Sequence, residues 1–95
     1  IGEALKWYRI AAGLGEPLAQ ATLGLKYQYG QGVPKDIVAA YMWYALSAAG
    51  LLASDTRVTS IVATQRDLVT KQMTSGQIAE ATRLAQEWLV AHSHK

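Results

Sequence analysis

The sequence predicts an all-α fold: a right-handed α-α superhelix, a solenoid of antiparallel helix pairs with about five helices. Three observations point there. Residues 3–12 recur as residues 39–48, a shift of 36 positions. The segments between and after these copies carry apolar residues at helical spacing. Glycine and proline gather in the short breaks between those segments, where a chain turns.

The first helix is the first copy. Ala4, Trp7, Tyr8 and Ala12 match Ala40, Trp43, Tyr44 and Ala48, and Ile10 stands opposite Leu46. Tryptophan is rare, so a repeated Ala-x-x-Trp-Tyr marks a structural period. Gly13 and Gly15 end this helix, as Gly50 ends the second copy. Gly15-Glu16-Pro17 then opens a second helix, with Pro17 in its first turn. Residues 18–29 carry Ala19, Leu23 and Tyr27 four apart, which makes them a packing face. Gly24 beside that face lets a neighbouring helix come close. The turn at residues 30–36 has two glycines for positive φ, Val33 to enter the core and Pro34 to fix the exit. Asp36 caps the third helix, which runs to Ala49.

The last third diverges. Ser54 opens a fourth helix to about Gln72, with Val58, Ile61, Val62, Leu68 and Val69 apolar. Thr74 and Gln77 have capping-box spacing and start a fifth helix that ends near Ala91. Ile78, Ala81, Ala85, Trp88 and Leu89 form its core stripe, and Glu80, Arg83, Gln86 and Glu87 its wet side. The expected organisation is a half repeat at 1–14, a complete repeat at 15–50 and a two-helix cap at 54–91. A lone hairpin cannot bury both faces, so such units stack side by side.

Composition narrows the function. Hydrophobic residues make up 51% and charged residues 17%, which argues against disorder. The net charge is +2, with no run of lysine or arginine, so no nucleic-acid partner is expected. The absence of cysteine excludes disulfides and thiolate metal sites, and leaves both cytoplasm and export open. The chain opens at Ile1 without a leader pattern, which implies an internal start or a removed segment. Residues 37–53 are uncharged, but they are short for a membrane span and hold Trp43 and Tyr44 near the middle. A buried helix fits them better, and no membrane span is expected.

These motifs resemble the Sel1-like repeat family, relatives of the tetratricopeptide repeats. The resemblance rests on Leu23-Gly24-Leu25-Lys26-Tyr27, on Gly30-Gln31-Gly32-Val33-Pro34-Lys35-Asp36, and on Ala40-Tyr41-Met42-Trp43-Tyr44 with Ser47-Ala48. Residues 73–89 resemble, more loosely, the C-terminal capping tail of bacterial members. Ser47 stands where the family favours alanine, a minor departure. The resemblance implies an adaptor or scaffold that holds another protein or peptide, with no catalysis. Cysteine-rich members are associated with penicillin-type ligands. A β-lactam-binding or hydrolase role is therefore the enzymatic alternative, weakened here by the lack of cysteine. A third possibility is a structural fragment that self-associates through its exposed N-terminal half repeat.

No catalytic, cofactor or metal residues are expected. Gly30 to Gly32 lacks the lysine and the preceding strand of a phosphate loop. His92 and His94 make too few ligands for a zinc site. Asp55, Asp67, Glu80 and Glu87 read as solvated helix charges. Trp7-Tyr8 and Trp43-Tyr44 read as packing pairs, because a structural slot recurs in each unit and a binding site need not. In related solenoids the second helix here lines the concave side. Its remaining face, Leu18, Thr22, Leu25, Lys26 and Tyr29, is the candidate partner surface. Helical spacing alone weighs this equally against packing on a preceding unit.

Overall fold

The computed structural model describes residues 2–50 and 56–91, with side chains at 6–49 and 60–91. It contains α1 (Gly2–Gly13), α2 (Pro17–Tyr29), α3 (Ile37–Gly50), α4 (Thr56–Thr70) and α5 (Ser75–Ala91). No described residue lies in a strand. The expectation of five helices and an all-α repeat architecture holds. Ser54, expected to cap α4, and the His92 and His94 pair lie outside the described residues.

Local chemistry sets the helix ends. Gly15 takes φ 89°, a left-handed value that costs glycine little, and this lets the Glu16 amide return to the Ala11 carbonyl. The Glu16 carboxylate then caps α2 by accepting from the Leu18 amide at 3.3 Å. Gly30, at φ 67°, closes the other end: its amide and that of Gln31 both reach the Lys26 carbonyl. The Asp36 carboxylate accepts from the Ala39 amide at 3.1 Å, the expected cap of α3. At α5 the capping box is complete. The Gln77 amide donates to the Thr74 hydroxyl at 3.1 Å, and Gln77 Oε1 accepts from the Thr74 amide at 2.9 Å.

Helix α3 is the centre of the packing: α2, α4 and α5 all lie against it, while α1 lies against α2. The main cluster joins Ala21 of α2, Ala40 and Tyr44 of α3, and Val62 and Val69 of α4. A second cluster joins Ala12 of α1 to Ala19 and Leu23 of α2, with Tyr8 and Trp43 packed on it. Val33 is buried, as the turn pattern predicts. Trp43 meets Trp88 edge to face at 6.2 Å, which ties α5 to α3.

Two parts of the sequence reading need correction. Trp7 does not pack like Trp43; it is largely exposed. Of the apolar positions on the last two helices, Val62, Val69, Ala81 and Ala85 are buried, but Ile61, Leu68 and Leu89 are exposed. Helical spacing marks an apolar stripe wider than the strip that meets a neighbour. On the wet side of α5 the Arg83 guanidinium donates to Glu80 and to Glu87, the latter at 2.6 Å. These two carboxylates raise the Arg83 pKa further, through their hydrogen bonds first and their charge second.

Candidate functional site

The five candidate residues on α2 divide between two neighbourhoods. Leu18 and Thr22 face a groove between α1 and α2, which they line with Trp7, Tyr8, Ala11 and Leu14. Leu25 is half-buried and packs against the main cluster beside Tyr27. Tyr29 is exposed and its hydroxyl donates to Gln65 Oε1 on α4 at 3.4 Å. Lys26 is half-buried in the last turn of α2, where its charge complements the helix dipole. Four residues on α2 therefore do not form one surface: Leu25 and Tyr29 turn toward α4, and Leu18 and Thr22 turn toward α1.

The groove is apolar and open, with a volume of about 610 Å³. Its rim and floor come from two short runs of sequence. Trp7 and Ile10 lie three apart on α1, Leu14 follows just past its end and Leu18 stands in the first turn of α2; all but Ile10 line the groove. The four residues are 60%, 57%, 76% and 58% exposed. Such an apolar stripe is unusual on a surface that meets only water. Trp7 and Tyr8 stack edge to face at 5.3 Å, which holds both rings at the groove wall. The Thr22 hydroxyl donates to the Leu18 carbonyl at 2.9 Å, so the polar end of that side chain is satisfied within its own helix.

The second copy of the same motif is enclosed. Tyr44 is 0% exposed, and its hydroxyl donates to Gln28 Oε1 on α2 at 2.5 Å. Burial raises the Tyr44 pKa above the ordinary 10.0, and the charge of Tyr29 adds in the same direction. Gly24 of α2 lies against the Tyr44 ring: a Cβ there would stand 2.5 Å from the ring carbon Cε1. Ser47 is buried, and its hydroxyl donates to the Pro17 carbonyl at 2.8 Å. This residue is more than a minor departure from the family pattern, since it fastens α3 to the start of α2.

Two stretches of the chain match a known repeat pattern. Residues 1–16 and residues 17–50 each match the Sel1 repeat, together more than half of the chain. The chain belongs to the Sel1 repeat family. Sel1 repeats are in general protein-interaction modules. No curated protein and no solved structure matches the chain. Among the described residues no three His, Asp or Glu side chains gather to hold a metal ion. No helix among them is long and apolar enough to cross a membrane.

The sequence reading expected the N-terminal half repeat to be exposed but did not name Trp7, Ile10 and Leu14 as a candidate surface. It assigned Trp7 to packing because the Trp-Tyr pair recurs at the same place in each copy.

Proposed function

We propose that this Sel1 repeat chain is a scaffold module that holds a protein partner on the stripe formed by Trp7, Ile10, Leu14 and Leu18. The observation that carries the reading is the exposure of those four apolar residues, three of which line one groove. Covering large apolar side chains releases water, and tryptophan is among the residues that anchor protein interfaces. Family membership supports the same reading, because its repeats serve as interaction modules. Of the residues expected from sequence, Leu18 and Thr22 belong to this surface. Leu25, Lys26 and Tyr29 stand apart from it: Leu25 packs on the main cluster and Tyr29 bonds to Gln65. The module contributes no reaction of its own.

A photo-reactive residue placed at position 18 tests this. It should cross-link to a partner protein, and the cross-link should disappear when Leu14 is changed to Glu. The same group at Ala79, exposed on α5, should give no such product. Cross-linking at position 79 alone would sink the proposal.

A further inference from the structure

Helix α5 is braced by bonds of its own. It has 17 residues, more than the roughly 12–15 below which a lone helix is marginal in water. Thr74 and Gln77 close its first turn reciprocally. The Arg83 guanidinium reaches back to Glu80 and forward to Glu87, which links two turns of its wet side. The Thr82 hydroxyl donates to the Ile78 carbonyl at 2.8 Å. Each of these bonds begins and ends within residues 74–87, so each survives if the helix leaves its seat.

That seat is on α3, and the attachment is slight. The side chains that α5 buries are Ala81 and Ala85, both small. Ile78, Leu84 and Trp88 are half-buried, and Leu89 is exposed. Among the described residues, neither core cluster includes a side chain of α5. Helix α4, by contrast, puts Val62 and Val69 into the main cluster. Apolar attachment scales with the area removed from water, so α5 is held less firmly than α4. Met73 packs on the main cluster and pins the chain just before α5 begins. We propose that α5 is a lid. It swings off α3 about the junction of Met73 and Thr74 as an intact helix, while α1 to α4 stay folded. Elements with few buried apolar contacts open well below the free energy of global unfolding. Opening uncovers the side of Trp43 that meets Trp88, while Trp43 stays packed on the Ala12, Ala19 and Leu23 cluster.

Native-state hydrogen exchange of the unaltered 95-residue chain, read by mass spectrometry across low urea concentrations, tests the lid. Amides of α5 should exchange at least about tenfold faster than those of α3, with a weaker urea dependence, because opening exposes less surface than unfolding. Equal rates with equal urea dependence overturn the proposal, since α5 then leaves only when the whole chain unfolds. Trp88→Ala removes the ring that holds the lid on Trp43. It should speed exchange in α5 at least about fivefold further and leave α3 within about twofold. Parallel acceleration of both helices overturns the lid. A thiol separates undocking from melting, and the chain has no cysteine of its own. In Ala85→Cys, the thiol should be reached by a labelling reagent through openings at least about tenfold more populated than those that expose the α5 amides of the same variant. A helix that swings away keeps its backbone bonds. Thiol and amides exposed to the same extent mean that α5 melts where it lies, which overturns the intact lid.

Discussion

Helices α1 and α3 carry the same Ala-x-x-Trp-Tyr motif in different surroundings. In α3 the tyrosine is closed in by α2 on one side and α4 on the other, and Leu46 is buried with it. In α1 the matching tyrosine has one neighbour, and Ile10, the counterpart of Leu46, stands in solvent. A repeated motif thus specifies a way of packing, but the neighbours present decide whether that packing is realised. The same residue types are core in one copy and stand exposed in the other.

The largest test of this difference removes the two tyrosines in turn. Tyr44→Ala should lower unfolding stability by about 3–5 kcal/mol, the cost of emptying an aromatic core site. Tyr8→Ala should cost less than half as much, because that ring is only half-buried. Urea unfolding followed by circular dichroism measures both. Equal losses would erase the contrast between the copies.

Gly24 gives a finer test against Gly13. Gly24→Ala should destabilise by about 1–3 kcal/mol through overpacking, because Tyr44 is pinned by Gln28 and cannot retreat. Gly13→Ala meets no atom within 4 Å and should be neutral or stabilising by up to about 1 kcal/mol. Thermal melts should therefore fall for Gly24→Ala and hold or rise for Gly13→Ala.

Tyr44→Phe isolates the hydroxyl. It should cost about 1–2 kcal/mol at neutral pH, since Gln28 loses its partner in a buried place. Its pH signature is distinct. The folded state holds the phenol proton more tightly than the unfolded chain does. This contribution is therefore fully present below the ordinary value of 10.0 and is lost as pH rises beyond it. Unfolding midpoints taken from pH 8 to pH 11 should fall less steeply for Tyr44→Phe than for the parent chain. The smallest change is Ser47→Ala, which restores the family's residue and should cost about 1 kcal/mol by freeing α3 from the Pro17 carbonyl.

What the sequence made legible was local. The Asp36 cap and the Thr74–Gln77 box depend on residues three apart, so spacing alone reveals them. Gly24 was legible as a point of close approach because few other roles suit a glycine inside a helix. Gln28, Ser47 and Glu16 were not. Gln28 and Ser47 bond to groups 16 and 30 residues away, and no periodicity brings such partners together. Glu16 is an uncommon cap, and serine, threonine, aspartate and asparagine are the residues that signal one. The candidate surface was legible in part. A helical wheel places Leu18 and Leu25 on one open side of α2, but it cannot show that Leu25 packs on the main cluster while Leu18 stays largely exposed.

The bonds that fasten α2 to α3 have a consequence for how such a chain can change over generations. Tyr44 to Gln28, Ser47 to Pro17, and the Asp36 amide to the Tyr27 carbonyl all begin and end within residues 17–50. That stretch carries these polar connections with it. Copying or excising it whole at its glycine borders would leave none of these three donors stranded, whereas a break at Val33 would sever all three. Recombination can therefore lengthen or shorten the array by whole cassettes, and each added cassette would present its own tyrosine and glycine to the next.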